Sequence, residues 1–171
     1  MKRVNRKAQI LGMPFSVIFS IILIIFFIIA AIIAIKIFWN PSGCGFSDNS
    51  QEALFKQELQ TAIDDAWSSE RSDSEFKISL PGKITHVCFF NFEKDERGNY
   101  SEFYSEIERF SNEKNNFYLY PVRSACEDFR GWEIKHINIT EITKQDNPYC
   151  VKNGKSAWIE KGFYDNLVKV R

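Results

Sequence analysis

Acidic residues are absent from the first 39 positions, and residues 8–35 contain no charged residue of either sign. A helix that rises about 1.5 Å per residue crosses a ~30 Å hydrocarbon core in about 20 residues. An uncharged run of this length is typical of a membrane span, and it exceeds the roughly 7–15 apolar residues of a cleaved secretory signal. We therefore expect an uncleaved signal anchor, with residues 14–39 crossing the lipid bilayer.

The charges around this segment predict its orientation. Lys2, Arg3, Arg6 and Lys7 precede it, whereas Lys36 is the one basic residue close behind it. Because basic residues accumulate on the cytoplasmic side, residues 1–13 should be a short cytoplasmic N-terminus. Residues 40–171 should then form a domain on the outer side of the cell membrane. The span has no ionisable residue in its middle, which argues against an ion or proton pathway through it.

Several catalytic and binding motifs are also missing. The chain contains only eight glycines and two histidines, with no Gly-rich phosphate loop, nucleophile elbow or metalloprotease helix. Residues 40–171 carry 17 basic and 22 acidic residues, which argues against nucleic acid because phosphate contacts need clustered Lys and Arg. We therefore predict a non-enzymatic module without a cofactor, which binds other envelope proteins or associates with itself.

The N-terminal residues Arg6-Lys7-Ala8-Gln9-Ile10 resemble the class III signal peptide of archaeal type IV pilins and archaellins. In that family a short basic leader precedes a long apolar helix, and the resemblance implies cleavage between Ala8 and Gln9. Many pilins place a glutamate five residues after the cut, where this chain has Met13. The chain is also similar to small archaeal single-pass membrane proteins that begin with Lys-Ala-Gln or Lys-Gly-Gln and end in a Cys-containing domain. A processed pilin-like subunit is therefore an alternative function.

The 132 residues of the outer part are enough for one modest core, and their pattern predicts an α+β domain with a mostly antiparallel sheet. Phe55, Leu59, Ile63 and Trp67 recur at helical spacing. About two helices are expected, over 50–69 and 100–112. Strands are expected over 76–80, 84–92, 117–122, 132–139, 149–152, 155–159 and 167–170. Asn153-Gly154 is the strongest hairpin signal in the chain.

The four cysteines, Cys44, Cys88, Cys126 and Cys150, all lie in the outer part. An even number of cysteines in an oxidising compartment favours two disulfides. Four cysteines allow three pairings, which the sequence does not decide. We favour Cys44 with Cys88 and Cys126 with Cys150.

A metal or thiol site is the alternative use of these residues. His86 and Cys88 are two positions apart on a predicted strand and therefore share a face, and His136 is a third candidate. The chain has no Cys-x-x-Cys pair, which structural zinc sites usually contain. A membrane-tethered thiol or metal enzyme that uses Cys88 and His86 is thus a third hypothesis, and the absence of a convincing ligand set argues for no metal.

Two triplets match the N-glycosylation acceptor pattern, Asn99-Tyr100-Ser101 and Asn138-Ile139-Thr140. Asn99 follows a charged segment that is predicted to be a loop, and an extracytoplasmic orientation would make it accessible. Asn138 lies in a predicted strand. We therefore consider Asn99 the better candidate.

Overall fold

The computed structural model describes residues 12–38, 46–110 and 114–171. The chain divides into two compact units, Met1–Pro41 and Ser42–Arg171. Ala8 and Gln9, the predicted processing site, lie outside the described residues, as does Cys44.

The first unit contains one helix, α1, which extends over Gly12–Phe38. Within it, Val17–Ile35 is a 19-residue segment with a mean hydropathy of 3.4. Ile, Phe, Leu and Ala occur on every side of this helix, so it has no polar face. By length and composition it can cross a membrane.

The second unit is an α+β domain. It consists, in chain order, of α2 (Phe46–Ser68), β1 (Ser72–Lys77), β2 (His86–Phe89), α3 (Ser101–Phe110), β3 (Phe117–Tyr120), β4 (Gly131–Trp132), α4 (Ile139–Ile142), β5 (Tyr149–Lys152), β6 (Ser156–Lys161) and β7 (Lys169–Val170). Two single-turn 3₁₀ helices, Val122–Ser124 and Glu127–Phe129, separate β3 from β4.

The strands form two sheets, and every ladder between named strands is antiparallel. One sheet has the order β1-β6-β7 and the other the order β4-β3-β2-β5. The predicted turn at Asn153-Gly154 joins β5 to β6, and Gly154 has the positive φ of 85° that such turns require. β5 and β6 belong to different sheets and do not pair with each other, so the predicted hairpin is wrong although the turn is present.

The core lies on both faces of the four-stranded sheet. Val87 and Phe89 of β2 belong to the larger cluster. In this cluster they pack with three α2 residues that recur at helical spacing, Phe55, Leu59 and Ile63. The smaller cluster lies on the opposite face and packs against α3; its buried members are Cys88, Phe90, Phe103, Ile107, Tyr118, Val122 and Cys150. The two faces follow from the period-2 alternation of side chains along a strand.

The disulfide pairing that we favoured from the sequence is wrong, because Cys88 is bonded to Cys150. The two residues face each other across β2 and β5, with their Cα atoms 4.1 Å apart. The flanking pair Thr85 and Asn153 is hydrogen-bonded through the backbone, which places Cys88 and Cys150 at a non-hydrogen-bonded position, where side chains are closest. Cys126 is disulfide-bonded as well.

The strand predicted over 132–139 is also wrong beyond its first residue. The backbone of His136 has a φ of 65°, in the left-handed region that interrupts an extended strand. Asn138 then caps α4, because its side chain accepts a hydrogen bond from the Glu141 backbone N–H. The apolar alternation reflects burial of Trp132, Ile134 and Ile137 along an irregular segment.

Candidate functional site

The structure does not assemble His86, Cys88 and His136 into a metal or thiol site. Cys88 is fully buried and bonded to Cys150, so it has no thiol to offer His86. The His86 ring lies against Phe103, with ring centroids 5.3 Å apart. Burial and the nearby charge of Lys152 lower its pKa. Among the described residues, no group of three or more His, Cys, Asp or Glu side chains is arranged to hold a metal ion.

His136 instead belongs to a polar cluster at the C-terminal end of α2. Its Nδ1 lies 2.9 Å from Oδ1 of Asp64. The same carboxylate oxygen accepts a hydrogen bond of 2.8 Å from Nε2 of Gln60. The Gln60 side-chain oxygen in turn accepts the Lys135 backbone N–H at 3.1 Å. Gln60 therefore links the helix to the segment that carries His136.

Trp67 fixes the orientation of the imidazole. Its ring is stacked on the His136 ring, with centroids 3.8 Å apart and planes inclined by 7°. Its indole N–H donates to the carbonyl oxygen of Asn166 at 3.2 Å. The backbone of His136 is held as well, because its carbonyl oxygen accepts the Val168 N–H at 2.9 Å. A non-glycine residue keeps a left-handed conformation only where surrounding contacts enforce it. The Trp67 stack and the Val168 hydrogen bond are such contacts for His136.

The electrostatics of the pair follow from these hydrogen bonds. Burial raises the pKa of the Asp64 carboxyl, but the hydrogen bonds from His136 and Gln60 outweigh burial, so its pKa lies below the usual value. A carboxylate at Nδ1 favours the imidazole tautomer with its proton on that nitrogen. In the neutral ring with this tautomer, Nε2 of His136 is the acceptor, on a side chain that is 33% exposed.

An aromatic loop adjoins this cluster. Residues 162–168 connect β6 to β7, and Trp67 contacts the loop through Asn166. Phe163 is 65% exposed and Tyr164 is 92% exposed. We call the exposed side chains of this cluster and of the adjoining loop, Trp67, His136, Phe163, Tyr164 and Leu167, the aromatic patch.

Lys161 holds the backbone at the end of α2, next to the aromatic patch. Its Nζ donates to the carbonyl oxygens of Trp67 and Ser69, each at 2.6 Å. A cation at this position is favourable because the carbonyl groups at a helix C-terminus lack intrahelical partners and carry partial negative charge. The charge of Lys161 is therefore used to hold the end of α2 against β6.

The chemistry available at the aromatic patch is binding and proton acceptance. A histidine that activates a nucleophile needs a hydroxyl or thiol within hydrogen-bond reach. The hydroxyls of Ser68, the last residue of α2, and of Ser69 donate to the Asp65 carbonyl oxygen. In the described part of the chain, no hydroxyl or thiol is hydrogen-bonded to His136.

A separate cleft of about 480 Å³ lies between α4, β5 and β7. Its lining includes Ile142, Tyr149 and Val170 together with charged residues. Three cations of the lining are paired with acidic side chains: Lys144 with Glu141, Lys169 with Asp165 and Arg171 with Glu160. Since these charges compensate one another, the cleft shows no net preference for an anion or a cation.

The two glycosylation acceptors have different environments. Asn99 is exposed, and its backbone N–H donates to Oδ1 of Asp146 at 2.8 Å, which leaves the side-chain amide outside this contact. Asn138 is half-buried, and its side chain is committed to the cap of α4.

Comparison with family models, with curated proteins and with solved structures finds no match to this chain.

Sequence reasoning identified His136 but missed its partners. The helical spacing groups Trp67 with the apolar residues Phe55, Leu59 and Ile63, whereas Trp67 is 42% exposed and lies against His136. Asp64 and Trp67 are three residues apart, so they share a helix face, and this spacing is the signal that could have identified the pair.

Proposed function

We propose that this chain is a membrane-anchored, non-enzymatic module that binds a protein partner outside the membrane through the aromatic patch. The observation that carries the proposal is the exposure of Phe163, Tyr164 and Trp67 beside an ordered Asp64–His136 pair. Trp and Tyr are the side chains that most often dominate binding energy at protein interfaces.

The anchor is supported by α1, whose segment Val17–Ile35 is long and apolar enough to cross a bilayer. The basic residues before it support a cytoplasmic N-terminus and an outer location for residues 40–171. The helix α2, with 23 residues, is about 34 Å long, and the aromatic patch lies at its C-terminal end. The patch is therefore separated from the start of the domain by the length of this helix.

The order of the patch favours binding over a role as a mobile loop. The Trp67 ring is held by the His136 stack and by the hydrogen bond to Asn166, so little conformational entropy would be lost when a partner covers it. His136 Nε2 and the exposed Tyr164 hydroxyl add hydrogen-bonding groups to a surface that is otherwise apolar.

The charge of the domain favours a protein over an anionic lipid surface. Residues 40–171 have a net charge of −5, and Asp64 and Asp65 lie beside the aromatic patch. An acidic domain is repelled by anionic headgroups, whereas peripheral membrane surfaces are usually rich in Lys and Arg. The partner that fits is a protein with an apolar pocket for Tyr164 and Phe163.

The experiment is photocrosslinking in the native membrane with a photoreactive residue in place of Tyr164. We expect one protein adduct of defined mass, whose crosslinked peptide is identified by mass spectrometry. A photoreactive residue in place of Glu58, which is exposed on α2, is the matched control and should give no such adduct. Phe163→Ala should reduce the yield at Tyr164 about tenfold, as expected for an interface anchor. A lipid adduct at Tyr164, or no adduct, would overturn the proposal.

A pilin-like subunit is the second candidate. Its support is the order of elements, because a 27-residue apolar helix precedes a domain with antiparallel sheets. Fold-level likeness does not carry function. The intact mass of the protein from its native membrane tests this candidate, because cleavage after Ala8 removes eight residues. A full-length mass would exclude the processed subunit and leave the anchored module.

A further inference from the structure

The outer edge of β1 is the longest unpaired strand edge among the described residues. β1 has six residues and pairs with β6 on one side, at the end of the β1-β6-β7 sheet. Asp73, Ser74, Glu75 and Lys77 are exposed, and no other described strand pairs with this edge. The edge strands of the other sheet have four residues in β5 and two in β4.

The hydrogen-bonding register shows which backbone groups of β1 point outward. Trp158 of β6 exchanges two backbone hydrogen bonds with Arg171, at 2.7 and 2.9 Å, so its N–H and C=O face β7. Its partner on the other side, Glu75, therefore receives no hydrogen bond from β6. The direction of the backbone groups repeats every second residue along β1, so Asp73 and Lys77 are oriented like Glu75. The N–H and C=O groups of Asp73, Glu75 and Lys77 therefore face away from the sheet.

The side chains along this edge alternate in character. Asp73, Glu75 and Lys77 project from the outer face of the sheet together with Trp158. Phe76 projects from the inner face, where it contacts Phe55, and it remains partly exposed. Charged residues on an edge strand usually prevent pairing with other strands. They permit it where the incoming strand presents opposite charges.

We propose that β1 pairs antiparallel with β1 of a second copy of this chain, about a two-fold axis at Phe76. In this register Glu75 of each copy lies opposite Lys77 of the other, and the two Phe76 residues face each other. Glu75 and Lys77 face outward from β6, so each Glu75–Lys77 pair exchanges two backbone hydrogen bonds. Opposite charges directly across a ladder stabilise it, as do aromatic pairs.

The charges select this register. With the axis at Glu75, two carboxylates would face each other, which destabilises a ladder. With the axis at Phe76, every charged side chain of β1 lies opposite either a charge of the other sign or the neutral Ser79. A two-fold contact of this kind is self-complementary and closes on itself, as most homodimer contacts do. A second copy of the chain therefore supplies the charges that complement this edge, and a different protein is not needed to provide them.

The first test uses the unmodified full-length chain. Unlabelled and ¹⁵N-labelled protein are mixed in detergent micelles and treated with a zero-length carbodiimide crosslinker. We expect a crosslink between Glu75 and Lys77 in peptides of mixed isotope composition, which shows that it joins two copies. A Glu75–Lys77 crosslink found only within single-isotope peptides would overturn the proposal, because these residues are also near each other within one strand.

The second test exchanges the charges. Glu75→Lys or Lys77→Glu places like charges opposite each other twice per dimer, and we expect each to raise the dimer dissociation constant about tenfold. The double variant, Glu75→Lys with Lys77→Glu, should restore the wild-type constant. Glu58→Lys, a charge reversal on the exposed face of α2, is the matched control and should have no effect.

Two results of this series would overturn the proposal. If the single variants leave the dimer unchanged, or if the chain is monomeric throughout, the edge does not mediate self-association. If the single variants weaken association and the double variant fails to restore it, the occupant is a basic strand of another protein or the register is different.

Discussion

The cross-strand disulfide between Cys88 and Cys150 should contribute strongly to the stability of the domain, and its removal is a quantitative test of the fold. Cys88 and Cys150 are 62 residues apart in the sequence. Closing a loop of this length lowers the entropy of the unfolded chain by an amount equivalent to about 4 kcal/mol at 25 °C. The bridge also joins β5 to β2, and β2 is the one described strand with which β5 forms a ladder. We expect the double variant Cys88→Ala/Cys150→Ala to lose about this much stability.

The assay is urea unfolding of the full-length protein in detergent, followed by tryptophan fluorescence. The matched control is His86→Ala/Lys152→Ala, which alters a facing pair on the same two strands without a covalent bond. Cross-strand pairs contribute about 0.2–1 kcal/mol, so the control should lose far less. If the cysteine variant loses no more free energy of unfolding than this control, the disulfide does not constrain the unfolded chain as argued.

Three further outcomes are expected. The pKa of Asp64 is lower in the folded protein than in the unfolded chain, where it is about 3.9. The ionised carboxylate therefore stabilises the fold fully above the unfolded pKa, and this stabilisation is lost as pH falls through the folded pKa. Asp64→Asn should accordingly cost stability at pH 6 and little at pH 2 in urea unfolding. Gly98→Ala should destabilise more than Gly154→Ala in thermal unfolding, since both have positive φ but only at Gly98 does an added Cβ meet a neighbouring carboxylate. In a glycosylating host, mass spectrometry should find glycan on Asn99 and none on Asn138, whose side chain caps a helix; the reverse occupancy would contradict this assignment.

The parts of the fold with strong local signals could be predicted from the sequence. The helical spacing of Phe55, Leu59 and Ile63 identified α2, and Asn153-Gly154 identified the turn between β5 and β6. The α+β class with antiparallel sheets is confirmed. These features depend on residues close in sequence, so local periodicity and turn chemistry are sufficient to find them.

The parts that depend on long-range register could not be predicted. Nothing local distinguishes the partner of Cys88, because pairing with Cys150 follows from the alignment of β2 with β5. The division into two sheets is equally non-local, since β5 and β6 are adjacent in sequence but pair with different strands. His136 illustrates a third case: tertiary contacts to Asp64, Trp67 and Val168 maintain a backbone conformation that the apolar alternation did not indicate.

The aromatic patch and the β1 edge are connected through Lys161. This residue lies opposite Ser72 at the start of β1, and its ammonium group holds the carbonyl oxygens of Trp67 and Ser69. Four residues of extended strand, about 13 Å, separate Ser72 from the proposed two-fold axis at Phe76. A dimer formed at this edge would therefore present two aromatic patches in a fixed relation, and a partner with two matching pockets would bind with avidity. Glu75→Lys would then reduce that avidity and leave the crosslink at Tyr164 intact, whereas Phe163→Ala would reduce the crosslink and leave the dimer intact.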